Sequence, residues 1–145
     1  MPAPTSPPSG RFSRWPWWRR WFGRRSERAA ARFLRSLGWR IYAANVSDTA
    51  GELDLIAIDR DTVVIIEVRS TSGDDWERVA ASVDFQKQKR ITDAATRFLA
   101  RKRLLEGVNV RYDVLVLCWP PSTKHPVVRH FPNAFDAVGR FQFHN

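Results

Sequence analysis

Asp54, Glu67 and Arg69 interrupt two strongly apolar, β-forming runs, Leu53–Ile58 and Val63–Arg69. Charged side chains are seldom placed in such runs without a partner, because burying an unpaired charge is costly. Two acids and a cation close together make a seat for a divalent metal ion and a phosphate. The chemistry that suits such a seat is metal-assisted hydrolysis of a phosphodiester.

The two runs are joined by a tight turn at Arg60-Asp61, which predicts an antiparallel hairpin. A two-residue loop there pairs Asp59 with Thr62. The same register sets Asp54 opposite Glu67 and Glu52 opposite Arg69. Opposed residues share a face with Cβ atoms roughly 4.5–5.5 Å apart, near enough for two carboxylates to share a hard cation. A slip of one residue would send the acids to opposite faces. A plainer reading makes Asp54 and Glu67 salt-bridged acids near the sheet edge.

Two further residues bear on that pair. Lys87 precedes Ile91, Ala94 and Phe98 at helical spacing, so it lies on the inward face of a helix and could reach a phosphate. It could equally snorkel, keeping its head in water. Glu27 opens an amphipathic helix and could point to the same metal, or serve only as an acid favoured by the helix dipole.

The elements that would position these residues are readable from periodicity. Ser26–Leu37 is predicted helical, with Ala29, Ala30, Phe33, Leu34 and Leu37 as its apolar stripe and Gly38 as its stop. Trp39–Ala44 is a short strand candidate, and 45–51 reads as loop. A helical segment begins around Trp76, and the main second helix is expected from Asp84 to Leu105, with Gly107 ending it. Arg111–Cys118 and Val127–Phe131 are strands, the second short and at an edge before Pro132. The expected order is α-β-β-β-α-β-β.

The chain has 145 residues and a net charge of +9. Length suits one domain with a tail. Six arginines and no acid fall within residues 1–25, so two thirds of the charge sits there and the body is only mildly basic. Residues 1–22 read as a disordered tail, with Phe12, Trp15, Trp17, Trp18 and Trp21 interleaved among the arginines. Such a tail can be merely solvated, can pair with phosphates and stack on bases, or can settle on an anionic membrane interface. Residues 23–145 make the domain.

Cys118 is the only cysteine, which excludes an intramolecular disulfide and suits a reducing cytoplasm. No apolar run reaches the roughly 18 residues needed to span a bilayer. His125, His130 and His144 are too few and too scattered for a metal cluster, and no Gly-rich phosphate loop is present.

Gly51-Glu-Leu-Asp-Leu-Ile-Ala57 followed by Val63-Val-Ile-Ile-Glu-Val-Arg69 resembles the YraN-like family of small bacterial proteins. The resemblance runs from about Gly23 to Phe135. It takes in Glu27-Arg-Ala-Ala-Ala-Arg-Phe-Leu34, Val83 with Lys87-Gln88-Lys89-Arg90, Arg111-Tyr-Asp-Val114 and His130-Phe-Pro-Asn-Ala-Phe135. It implies a restriction-endonuclease-like, PD-(D/E)XK fold: an α/β domain with a mixed sheet of four or five strands flanked by helices. It also implies that Asp54 and Glu67 bind Mg²⁺ or Mn²⁺, with the Val68 carbonyl and Glu27 as further ligands. Arg69, Lys87, Lys89 and Arg90 would then face nucleic acid.

One departure stands out. The family pattern ends in Glu-Val-Lys, whereas this chain has Glu67-Val68-Arg69. Arginine does not give up its proton and cannot be a general base, but it can hold a phosphate. The expected function is a Mg²⁺-dependent phosphodiesterase acting on nucleic acid, with branched DNA favoured by analogy to junction resolvases. The alternative is a nuclease-derived nucleic-acid-binding protein without turnover. A homodimer is compatible with either.

Overall fold

The computed structural model describes residues 25–122 and 124–138. The expected tail at 1–22 and His144 lie outside the described residues. Helix α1 (Arg25–Ser36) leads into strands β1 (Arg40–Ser47), β2 (Glu52–Asp59) and β3 (Thr62–Thr71). Helices α2 (Trp76–Ala81) and α3 (Phe85–Arg101) follow, then β4 (Asn109–Cys118) and β5 (Val127–Phe135). The five strands form one sheet in the order β1-β2-β3-β4-β5. All neighbours are antiparallel except β3 and β4, which run parallel. A parallel pair needs a crossover, and α2 and α3 supply it.

The helices cover both faces. On one side Ala29, Ala30, Ala31 and Leu34 of α1 pack on Ala44, Leu55, Ala57, Val64, Ile66, Leu115 and Leu117. On the other, Ile91, Ala94, Ala95, Phe98 and Leu99 of α3 pack on Ile56, Val63, Ile65, Val114 and Val116. Central strands buried on both faces read as continuous apolar runs, as Val63–Ile66 and Val114–Leu117 do. Each fully buried Leu, Ile or Phe contributes about 1.5–3 kcal/mol.

Several boundaries differ from the expected ones. β1 continues through Asn45-Val46-Ser47, which read as loop because the segment is polar at both ends. The helical segment expected from about Trp76 is a short helix of its own, α2, ahead of α3. α3 starts where expected, with the Asp84 carboxylate accepting the Lys87 backbone N–H at 2.8 Å. It ends at Arg101 rather than Leu105. Arg103 takes a left-handed conformation (φ 56°), and Leu104 N–H bonds back to Leu99 O at 2.8 Å. That is a Schellman stop with arginine where glycine is usual, so Gly107 had drawn the expected end too far. Leu105, beyond this stop, is 40 % exposed. β5 runs past Pro132 to Phe135, which an edge strand tolerates.

Candidate metal and phosphate site

The hairpin register pairs Asp59 with Thr62 and Leu55 with Ile66. Carried one step further, it sets Asp54 opposite Glu67. There the ladder opens: the Asp54 carboxylate, not a β2 carbonyl, accepts the Val68 N–H at 2.9 Å. In an extended strand the N–H and C=O of one residue point to the same neighbour. The Val68 carbonyl is therefore directed to the same opening.

The opening has a local cause. Ala44 and Leu55 pack on the α1 side, whereas Val46 and Leu53 pack on the α3 side. Residues two apart would share a face in a regular strand. Both strands thus rotate at one row, that of Asn45 and Asp54, and Asn45 has φ 52°. Past this row β2 turns away from β3, and Asp54 fills the space.

Glu67 projects from β3 toward α3 and is 6 % exposed. Lys87 Nζ lies 3.6 Å and Arg69 Nη2 3.3 Å from its Oε2. Both cations keep about a third of their surface in solvent, at 31 % and 32 %. Burial, then the Asp54 charge and a hydrogen bond shared with Asp54, push the Glu67 pKa up from 4.5 to about 8. Lys87 and Arg69 pull it down without prevailing. Two carboxylates side by side cannot both ionise cheaply.

The other expected site residues fall elsewhere. Glu27 is buried (4 % exposed) in α1, whose apolar stripe packs against the sheet face opposite α3. Among the described residues no group of three or more His, Cys, Asp or Glu side chains could hold a metal ion. Glu27 is therefore not assembled with Asp54 and Glu67 into a triad of acids. Lys89 pairs with Asp93 at 3.3 Å on the outer side of α3. Arg90 is exposed, and its backbone abuts Gly51, where a Cβ would stand 3.4 Å from both Arg90 Cβ and O. That close approach fixes the β1–β2 loop against α3.

The donor set suits a hard cation. It is all oxygen, with two carboxylates and a carbonyl directed to one opening, and the negative charge gathered there is what a cation would offset. Mg²⁺ is commonly held by one or two carboxylates plus waters and phosphate oxygens, so a third protein acid is not required.

A second polar cluster was not foreseen. Asp113, fully buried, accepts Arg111 Nε at 2.9 Å, His130 Nε2 at 2.7 Å and Asn133 N–H at 2.8 Å. Burial raises its pKa, but these three partners together hold it below the usual carboxylate range. His130 packs edge-on to Phe33 and Trp39, so it is a tie between layers rather than a surface or capping residue. The signal available in the sequence was an aspartate inside the apolar run 112–118.

A family model described as Uncharacterised protein family UPF0102 matches residues 26–117. The chain belongs to UPF0102. It is 44 % identical over 125 residues to a UPF0102 protein of Rhodopirellula baltica, covering 84 % of this chain and 74 % of that one. A UPF0102 protein of Myxococcus xanthus is 40 % identical over 119 residues, covering 82 % and 92 %. One from Pseudomonas syringae is 36 % identical over 115 residues, covering 79 % and 93 %. The UPF0102 match takes in the hairpin, Lys87 and most of β4. Among the described residues no helix is long and apolar enough to cross a membrane.

Proposed function

We propose that this UPF0102 protein is a Mg²⁺- or Mn²⁺-dependent phosphodiesterase acting on nucleic acid, most simply a structure-specific DNA endonuclease. The observation that carries this reading is the surroundings of Glu67: a buried acid beside Asp54, with Lys87 and Arg69 within 3.6 Å. The restriction-endonuclease-like fold implied by the family resemblance agrees with it, as does the mixed five-stranded sheet.

The position of Lys87 supports the same reading. It lies in the first turn of α3, three residues after the Asp84 cap. A cation there is opposed by the helix dipole, whereas an anion is favoured. A phosphate drawn to this end would meet the helix N–H groups, Lys87 and Arg69 together.

In the mechanism, Asp54 and Glu67 would hold the cation, with the Val68 carbonyl as a further ligand. The cation supplies Lewis-acid polarisation and a more acidic water. Glu67 would have to be ionised to serve as a ligand. Lys87 and Arg69 then face the phosphate and stabilise the negative charge that grows on its oxygens during attack. Arg69 cannot deprotonate the water, so its part is electrostatic.

A second reading rests on Arg69 itself. Its Nε is buried without an acceptor while Nη2 engages Glu67. A guanidinium so placed can clamp a phosphate and leave no group free to take the proton from water. The protein would then bind nucleic acid without cleaving it. Incubation of labelled branched, duplex and single-stranded DNA and RNA with Mg²⁺ or Mn²⁺ separates the two. Cleavage lost in Asp54→Ala with binding retained supports the enzyme. Binding with no cleavage of any substrate by the wild type overturns it.

A further inference from the structure

The row that carries Asp54 and Glu67 has another member, on β1. Ala44 pairs with Leu55 and Val46 with Leu53, so Asn45 lies directly opposite Asp54. Asn45 is 5 % exposed, and neither its Oδ1 nor its Nδ2 has a hydrogen-bond partner. A buried amide with both ends unmet is costly, and native proteins seldom keep one without a water, ion or ligand to satisfy it.

Backbone conformation accounts for only part of this. Asn tolerates the left-handed region better than most residues, which fits its φ of 52°. Glycine would adopt that conformation at no steric cost and would leave no amide to bury. The conformation explains why a bulky residue is absent. It does not explain why an amide is present at the rotated row, opposite Asp54 in the β1–β2 register.

We propose that Asn45 is a positioning residue of the Asp54–Glu67 site, its amide engaging the water shell of the cation held there. The inference rests on reading that site as a cation seat. Two carboxylates and a carbonyl would leave ligand positions to water, because Mg²⁺ sheds water reluctantly. Such waters are strong donors, and an amide oxygen at the neighbouring strand position orients them. Groups outside the ligand set that orient it are worth about 10- to 100-fold in metal affinity.

The test is Mn²⁺ binding by the full-length protein without nucleic acid, read by calorimetry or electron paramagnetic resonance, with metal-free thermal unfolding alongside. Asn45→Gly keeps the backbone conformation and removes the amide. It should bind Mn²⁺ about 10-fold more weakly while its metal-free Tm stays level or rises. Asn45→Asp adds a third acid to the row. It should bind Mn²⁺ more tightly than wild type and lose metal-free stability that Mn²⁺ restores. Wild-type Mn²⁺ affinity in both variants, with binding abolished in Asp54→Ala, overturns the role of Asn45 and leaves the cation seat standing. Absence of Mn²⁺ binding in the wild type overturns both.

Discussion

Asp54 Oδ2 accepts the backbone N–H of Val68 at 2.9 Å, so a side chain stands in for one rung of the β2–β3 ladder. The acid is a structural tie and, in the proposed function, also a ligand of the cation. Asp54→Ala should remove both roles, leaving Val68 N–H unpaired at a cost of about 1–3 kcal/mol. Asp54→Asn keeps an acceptor for Val68 and separates them: it should retain most of the stability but lose at least 100-fold in Mg²⁺-dependent cleavage. Thermal unfolding and a gel cleavage assay read the two effects.

The raised pKa of Glu67 makes metal-free stability depend on pH. Between 4.5 and about 8 the folded protein holds a proton that the unfolded chain has released. Folding is therefore favoured by low pH in this window, and this contribution is lost as pH rises through the folded value. The loss is at most a few kcal/mol, at about 1.4 kcal/mol per unit. Wild-type Tm should fall from pH 5 to 8, by contrast with Glu67→Gln, whose neutral amide removes this slope. Saturating Mg²⁺ should reverse the wild-type slope, because the ion needs Glu67 ionised. A Glu67→Gln curve parallel to wild type would count against this account.

Arg69 lies 3.3 Å from Glu67 and keeps a third of its surface exposed. Arg69→Lys substitutes a compact ammonium that can shift its pKa and donate or accept a proton. Turnover should rise in this variant, with nucleic-acid affinity equal or lower. An unchanged or lower turnover would show that a fixed charge suffices at this position.

Asp113 ties β4 to β5 and carries no part of the proposed chemistry. Asp113→Ala strands Arg111, His130 and Asn133 N–H together, which should cost about 3–5 kcal/mol, as for other broken buried pairs. Because the folded pKa is held below 3.8, the carboxylate's stabilisation is present above that value and is lost as pH falls through the lower folded one. Chemical denaturation of Asp113→Asn should show a smaller loss of stability near neutral pH and an acid transition moved to higher pH than in wild type.

Arg103 sits at the left-handed stop of α3 with φ 56°. Arg103→Gly should raise stability by up to about 1 kcal/mol, the steric cost of a side chain there less the added chain entropy of glycine. Urea denaturation measures it directly. A decrease would mean that the arginine side chain makes a compensating contact.

Much of the fold was legible because its signals are local. The alternating and continuous apolar runs gave β2, β3 and β4, and the Arg60-Asp61 turn gave the register that sets Asp54 against Glu67. Lys87 followed from helical spacing to Ile91 and Phe98. What escaped depends on contacts distant in sequence. Asn45 reads as loop because it opens the mostly polar stretch 45–51, and only its pairing with β2 makes it strand. The Asp113 cluster joins residues 17 and 20 apart across two strands. The end of α3 was misplaced because an arginine occupies the position where glycine usually signals a stop.

The two outer strands of the sheet share a feature with a consequence for assembly. β1 shifts register between Ile41 and Ala43 and rotates at Asn45; β5 swells opposite Tyr112–Val114, where Pro132 lacks a donor and Asn133 turns left-handed. Neither border offers an even row of free amides and carbonyls to an incoming β segment. Edge-to-edge pairing of strands is disfavoured at these interruptions on both margins.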